Sequence, residues 1–336
     1  MTNITIQDIA NEAGVSKATV SRVLNNSQAV DPITRNRIQT IIEKRHFVPS
    51  ATARNLSKRT SDTIGFVVPE IDNPFFGDIL RGVIEIIDAN NLTLICCNTD
   101  DNMDKDLKAL EMLKEQRVRG LLYTPAIDYS TEEEKKRLGK ILKEMQTPVV
   151  LMDRRISLAD VGGVYFDDYH GMYNATKALI EHGHTKIAII NASLDRVLAR
   201  DRRDGYMAAL KDAGIEPDPR YNLEGNYRMT QAYELSKKLL AMEDRPTAVI
   251  TCNNRTSLGF YKALRERGEK TPRDIALIGL DRIEELDVMG YEMNYIERDA
   301  KELGKRAIEM LINRMAFPGK AVRDVILDTH VKIYKI

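Results

Sequence analysis

Lys17, Ala18, Ser21, Arg22 and Asn25 recur at helical spacing on one short stretch of chain and share one chemistry. Apart from the Ala18 methyl, they are short polar groups and two cations that can reach phosphate oxygens and base edges, with Arg22 able to pair bidentately with a guanine in a major groove. The residues between them are apolar: Val20, Val23 and Leu24 would face inward from the same helix, and Ser16 is placed to cap its start. Ahead of it, Thr5 with Asp8 three residues on reads as a capping box. Ile6, Ile9, Ala10 and Ala13 supply the buried stripe of a first helix, Gly14 a left-handed turn, and Val15 an apolar plug. Asp31-Pro32, an N-cap followed by proline, announces a third helix carrying Ile33, Ile38, Ile41 and Ile42. Two short helices joined at a glycine, with a third to close the core, make a helix-turn-helix that reads DNA; a polar-surfaced three-helix bundle is the plain alternative.

Charge separates this head from the rest of the chain. Residues 1–60 hold nine Lys/Arg against four Asp/Glu, a net of +5, and since the whole chain is neutral the remainder carries −5. A basic head on an acidic body is expected when one part alone meets phosphate. With 336 residues and 43% hydrophobic content the chain can bury sizeable cores in two or three domains. No apolar run reaches membrane-spanning length and no charged-then-apolar leader precedes the first helix, so a cytoplasmic protein is expected. Cys96, Cys97 and Cys252 fit neither a disulfide framework nor a zinc spacing and read as small core residues, the first two on a buried strand.

Residues 47–61 run from Phe47-Val48-Pro49 through Ala51, Ala53 and Leu56 to a polar tail ending at Ser61. Proline, serine and alanines favour a turn or two of helix, too short to be stable alone, that could fold on binding; a solvated tether is the other reading. From residue 63 the pattern becomes strand, loop, helix, repeated. Apolar runs at 64–68, 92–97, 120–123 and 148–152 alternate with helices near 75–90 and 104–116. The series restarts after Gly162-Gly163 with helices at 170–181, 202–212, 231–240 and 257–267 and strands at 186–190, 248–251 and 275–279. Continuous apolar strands between amphipathic helices mean parallel sheets covered on both faces, hence two doubly wound lobes. Such lobes bind ligands at the carboxyl ends of their strands, so the cleft between them is the expected small-molecule site.

Across residues 4 to about 330 the chain resembles the LacI/GalR family of bacterial transcription regulators. The resemblance is carried by Val15-Ser16-x-x-Thr19-Val20-Ser21-Arg22, Asn73-Pro74-Phe75-Phe76, the 148–154 strand, Glu181-His182-Gly183-His184, Arg202-x-x-Gly205-Tyr206 and Ile278-Gly279-Leu280-Asp281, in the order that family uses. It implies an α/β fold: a three-helix head (1–48), a hinge helix and linker (49–61), and a two-lobed body of the type I periplasmic-binding-protein kind (62–336). Lobe 1 would take about 62–162 and 292–322, lobe 2 about 163–291 and 323–336. Lys17, Ala18 and Arg22 match base-reading positions, and Thr5, Ser16, Thr19, Ser21, Asn25 and Thr34 match phosphate-holding ones. Ala53 and Leu56 match the hinge pair that wedges into the minor groove. The effector positions that match are Asn73, Phe75, Phe76, Thr124, Asp153, Arg196, Arg202, Tyr227, Asn253 and Asp281.

Arg202 and Asp281 suit hydroxyls, and Tyr227 with Phe75 offers flat faces for a sugar ring or a purine. Each also has a plainer use: Phe75 and Phe76 as lobe core, Asp153 as a helix cap, Arg202 in a local ion pair. The implied function is a ligand-responsive repressor, a homodimer on a near-palindromic operator, answering to a sugar or sugar derivative. The implied rivals are a purine corepressor, a phosphocarrier protein partner, or a plain solute-binding protein. The end of the chain at Ile336, without a leucine-rich extension, fits a dimer. Two departures stand out. Asn254 replaces a common aspartate, and Ile296-Glu297-Arg298-Asp299 replaces the usual threonine, valine, glutamine and proline run. That charge cluster could serve an acidic ligand, with Arg196 or Arg298 as partner, or form a surface salt-bridge patch. No phosphate loop, metal spacing or activated nucleophile signals an enzyme, a cofactor or a metal, and His182 and His184 look structural.

Overall fold

The computed structural model describes residues 4–24, 27–47, 62–156, 158, 161–319 and 323–336. The chain forms two compact units, Met1–Ser61 and Asp62–Ile336. In the first, α1 (Ile6–Ala13) opens on the expected capping box, Thr5 N–H donating to Asp8 Oδ2 at 2.8 Å, and closes on Gly14 at φ 65°. Ser16 Oγ accepts from Thr19 N–H at 3.2 Å to start α2 (Lys17–Leu24), and Asp31 Oδ1 accepts from Ile33 and Thr34 N–H, both at 3.0 Å, to start α3 (Pro32–Lys44). Ile9, Ala10, Ala13, Val20, Val23, Val30 and Ile38 close the core, with Ile6, Leu24, Ile41 and Ile42 packed against it. Ile33 is the exception, 83% exposed. Five residues before Ile38 puts it about 140° around the helix, away from the buried side.

In the second unit, the first lobe contains β1 (Thr63–Val68), α4 (Pro74–Ala89), β2 (Thr93–Asn98), α5 (Met103–Glu115), β3 (Gly120–Tyr123), α6 (Glu132–Met145), β4 (Val149–Met152) and β5 (Gly162–Phe166). The second contains α7 (Asp168–Glu181), β6 (Ile187–Ala192), α8 (Val197–Asp212), β7 (Asn222–Gly225), α9 (Met229–Leu240), β8 (Ala248–Thr251), α10 (Asn254–Glu266), β9 (Ala276–Leu280), α11 (Glu284–Val288) and β10 (Asn294–Glu297). The chain then returns through α12 (Ala300–Ala316) and β11 (Val325–Leu327) before ending on β12 (His330–Lys332). One sheet runs β11-β5-β4-β3-β1-β2, all parallel. The other runs β12-β10-β9-β8-β6-β7, parallel except for β12.

These pairings differ from the expected lobe ranges. Strand 162–166 belongs to the first sheet and 294–297 to the second, and the last crossing separates 325–327 from 330–332. The chain therefore changes lobes just after β5, just after β10 and just after β11, and its last two strands, β11 and β12, add the outer strand beyond β5 and β10.

Helices cover both faces of each sheet, giving each lobe two apolar layers: α4 with α12 and α5 with α6 on the first, α7 with α8 and α9 with α10 on the second. The sequence reading passed over α6, although Thr131 and Glu134 form a full capping box there and Leu138 and Ile141 are its buried side. Its charged Glu132-to-Lys136 start hides the apolar period. Cys96 and Cys97 are not core residues: β2 is an edge strand, Cys96 is exposed and Cys97 half-buried, and of the three cysteines Cys252 alone is buried. His182 and His184 do serve a turn, His182 Nδ1 lying 2.7 Å from the Ala178 carbonyl and His184 Nδ1 2.9 Å from Thr247 Oγ1.

The tightest packing is where α4 crosses α12. A Cβ on Gly82 would lie 2.0 Å from the Lys301 carbonyl oxygen, and one on Gly304 2.0 Å from that of Ile79. Gly82→Ala is expected to destabilise the body by about 1–3 kcal/mol in urea titration, because backbone rather than a movable side chain blocks the methyl. Gly139→Ala, on α6 with open space around it, is expected to stabilise by about 0.5–1 kcal/mol.

Candidate functional site

The ends of the strands deliver the polar residues of the body. After β1 comes Glu70, after β2 Asp100 and Asp101, after β4 Asp153 and Arg154, and at the start of α7 Asp168; from the second sheet come Arg196 after β6, Tyr227 and Arg228 after β7, Asn253 after β8, Asp281 after β9 and Arg298 after β10. Parallel strands place all of these carboxyl-end turns on facing edges of the two sheets. The turns are sharp. Asp100, Asp101, Asp153, Tyr227 and Asp281 all have left-handed backbone, with φ between 52° and 70°, which turns the chain at once and aims the side chain across the gap.

One cavity results, lined by Glu70, Asn73, Phe75, Phe76, Asp101, Asp153, Arg154, Leu198, Arg202, Tyr227, Asn253, Asp281 and Arg298. Eight of the ten residues expected at an effector site fall on this lining. Thr124 does not: it is buried behind the wall and its hydroxyl has no partner. Arg196 stands beside the lining, 3.5 Å from Asp101. Glu70, Asp101, Arg154 and Leu198 were missed by sequence reasoning; the acidic Asp100-Asp101 pair directly after an apolar strand was the available signal.

Paired charge organises the cavity. Arg298 Nε and Nη2 donate to the two oxygens of Asp281, both at 2.8 Å, and its Nη1 to Asp153 Oδ1 at 3.1 Å. Its guanidinium lies 4.1 Å from the ring centre of Phe75 and 5.1 Å from that of Phe166. The charge cluster is thus divided: the Arg298 side chain is 3% exposed, while Glu297 pairs with Lys332 at the surface at 3.2 Å and Asp299 is exposed. Nor does Phe75 offer an open face for a ring. Arg202 donates from Nε to Asp168 at 2.9 Å and from Nη1 to the Cys252 carbonyl at 2.8 Å, with Tyr227 at 5.4 Å. Burial pushes the Tyr227 hydroxyl up to about 12, and it donates to Asn191 Oδ1 at 3.1 Å. Asp153, fully enclosed, is raised by burial despite the neighbouring Arg298.

A second group of pairs bridges the lobes. Arg228 meets Glu70, Asp100 at 3.1 Å and Asp101 at 3.5 Å; Arg255 donates to Asp72 Oδ2 at 2.8 Å; Asn254 Nδ2 donates to Asn73 Oδ1 at 2.8 Å; and Val197 N–H donates to Asp128. Asn254, the departure noted in the sequence, thus holds the lobes together. Arg154 Nη1 donates to Asp101 at 2.6 Å and to the carbonyls of Pro125 and Ala126. The loop carrying those carbonyls is fixed from beneath by buried Asp106, whose Oδ2 accepts from Tyr123 and Tyr129 hydroxyls at 2.6 and 2.8 Å and from Ala126 N–H at 3.1 Å. Burial pushes the Asp101 carboxyl up, but Arg154, Arg196 and Arg228 outweigh it and hold it below the ordinary carboxylate value.

On the head, Lys17, Ala18 and Arg22 stand exposed along α2, while Ser21 is half-buried. Ser16 and Thr19 hydroxyls are 2.9 Å apart, Thr5 Oγ1 donates to Asp8 Oδ2 at 2.7 Å, and Thr34 sits at the capped start of α3. Asn25, Ala53, Leu56 and the expected hinge helix lie outside the described residues. Among the described residues, no group of three His, Cys, Asp or Glu could hold a metal, and no helix is long and apolar enough to cross a membrane.

A helix-turn-helix on the same chain as two parallel-sheet lobes with a polar cleft defines a class, DNA-binding regulators with a ligand-binding body. Comparison with known proteins agrees. Residues 5–50 match the model for bacterial regulatory proteins of the lacI family, and residues 61–335 that for periplasmic binding proteins and the sugar-binding domain of the LacI family. The HTH-type transcriptional repressor PurR of Aliivibrio salmonicida (strain LFI1238) is 34% identical over 311 residues, 93% of this chain and 92% of the relative. Among solved structures, the transcriptional regulator CelR–cellobiose complex superposes with a TM-score of 0.72 at 25% identity over 98% of both chains. The lac repressor dimer bound to operator and the anti-inducer ONPF gives 0.81 at 23% identity, again over 98% of both, a likeness of fold. The chain belongs to the LacI family of bacterial regulatory proteins and is a DNA-binding transcription regulator.

Because the Asp101 carboxyl is held below its ordinary value of 3.8, its contribution to stability is present above that pH and is lost as pH falls through the lower folded-state value. Asp101→Asn is expected to lower stability at pH 7 by roughly 2–3 kcal/mol, as charge-assisted hydrogen bonds are lost. Melting curves of the two proteins should converge as pH falls below 3.8.

Proposed function

We propose that this protein is a repressor of a carbohydrate-utilisation operon, binding a near-palindromic operator as a homodimer and changing its grip when a sugar or sugar derivative occupies the cleft. The observation that carries the reading is the cleft itself: a polar cavity between two lobes, bridged by ion pairs, on the same chain as a DNA-reading head. The room inside is about 40 Å³. That holds about three waters and is far below the roughly 300–1,000 Å³ of small-molecule sites, so a ligand enters when the lobes part. Asn73, Tyr227, Asn253 and Arg202 would contact it, with Thr124 and Arg196 reached only after rearrangement. Lobe movement then alters the spacing of the two heads of a dimer, the two-state element to which ligand couples.

On DNA, Lys17, Ala18 and Arg22 would read bases in the major groove. Thr5, Ser16, Thr19, Ser21, Asn25 and Thr34 would hold phosphates, and Ala53 and Leu56 would enter the minor groove. A dimer surface is supported by lobe 2, where Val288 is 88% exposed and Met289, 62% exposed, lines a mainly apolar groove of about 360 Å³ with Met229, Leu258, Tyr261 and Tyr291, rimmed by Lys262, Arg265 and Glu269. The Tyr261 hydroxyl is buried there without a partner. A projecting apolar pair next to a groove suits a two-fold contact in which each copy fills the other. A second reading, a purine corepressor, is favoured by the PurR relative.

Arg22→Ala is expected to weaken operator binding by about 1–3 kcal/mol in anisotropy titrations while leaving random DNA nearly unaffected at matched salt; equal losses on both would remove the base-reading role. Met289→Asp should shift sedimentation of the full chain from dimer to monomer, and an unchanged dimer would place the interface elsewhere. Thermal shifts of the full chain with sugars, sugar acids, polyols and purines, repeated on operator DNA, decide between sugar and purine. A response to purines alone would replace the carbohydrate reading.

A further inference from the structure

Arg298 changes what the cleft can recognise. Hydroxyl-rich ligands need acceptors for their protons, and carboxylates supply the strongest. In this cleft both oxygens of Asp281 and one of Asp153 are already taken by Arg298, in a fork-to-fork pair reinforced by the Phe75 and Phe166 rings. What remains directed at the cavity is weighted toward donors. Arg202 is bonded through Nε and Nη1, which leaves Nη2 for a ligand, and Arg154 is bonded through Nη1, which leaves Nε and Nη2. Arg196 and Arg228 join Arg154 around the carboxylate of Asp101, with Arg228 shared between it and the carboxylates of Glu70 and Asp100. Three guanidinium groups thus converge on Asp101, the one carboxylate that all of them share.

Asp101 lies on a two-residue left-handed turn, with φ of 55° at Asp100 and 52° at Asp101, at the end of an edge strand and beside the exposed Asp100 side chain. We propose that the effector carries a carboxylate or phosphate that replaces the Asp101 carboxylate among Arg154, Arg196 and Arg228. Arg298 is the residue that sets this preference, by engaging the Asp281 and Asp153 carboxylates and so reducing their capacity to accept from neutral polyols. The released Asp101 turns to water; a ligand carboxylate then leaves the charge of the cleft unchanged, and a phosphate adds up to about one further negative charge against the three guanidinium groups. The inference rests on the reading of the cleft as the effector site and narrows its ligand to an anionic, acceptor-rich molecule.

The test is calorimetric titration of the full chain with paired probes: a neutral hexose against its uronate and its 6-phosphate, and a purine base against its nucleoside monophosphate, with inorganic phosphate as the control. One anionic member is expected to bind at least roughly tenfold tighter than its neutral parent and than inorganic phosphate. Uronate against phosphate identifies the oxyanion, and sugar against nucleotide its carrier. Arg298→Gln, which frees both carboxylates, should reduce the anionic preference by about tenfold or more; if that variant does not fold, the paired comparison on the natural chain decides alone. A neutral parent that binds as tightly as its anionic partner overturns the inference while leaving the cleft reading intact. An affinity no better than that of inorganic phosphate, an adventitious ion only, overturns it, and binding by none of the probes overturns both.

Discussion

The two lobes meet across a gap filled with opposite charges, and the arrangement of the body follows from the need to pair them. A guanidinium or carboxylate taken from water without a partner costs several kcal/mol, so every charge turned into the gap must find another. Arg298 meets Asp281 and Asp153, Arg202 meets Asp168, and Asp101 collects Arg154, Arg196 and Arg228. These partners come from different strands and from both sheets. Arg228 with Glu70 and Arg255 with Asp72 span the two lobes at the rim of the gap, where Arg228 and Asp72 keep contact with water and such pairs are worth little.

The crossovers explain why the pairing is felt by the whole body. The chain passes from one lobe to the other just after β5, β10 and β11, and two of those passages lead directly into Asp168 and Arg298. The charges that define the cavity floor therefore sit on the hinges about which the lobes would move. The packing behind them is rigid, with α4 and α12 meeting backbone to backbone at Gly82 and Gly304 in the first lobe and α8 meeting α7 at Gly205 in the second.

Much of this was legible in the residues. The head followed from Thr5 with Asp8, Gly14, Ser16 and Asp31-Pro32, since caps and left-handed turns are local events written in neighbouring side chains. The doubly wound body followed from apolar runs such as 120–123 and 248–251, whose bounds the structure reproduces. Edge strands were harder. The β2 edge leaves Cys96 exposed although its sequence reads as buried, because burial depends on which strand lies alongside. The end strands of each lobe were divided wrongly for the same reason.

At the cleft, the sequence by itself determined the kinds of residue at the strand ends and, through Asn73, Phe75, Phe76, Asp153, Arg202, Tyr227, Asn253 and Asp281, most of the lining on both lobes. It could not determine their pairing. Whether Asp281 awaits a ligand or is bound by Arg298, and whether Phe75 offers an open face or a covered one, depends on side chains from β4, β9 and β10 meeting at distances near 3–4 Å. Those distances arise when two sheets face each other across their carboxyl ends. Local sequence sets which groups arrive at that edge, and the tertiary fold alone sets which partner each finds there.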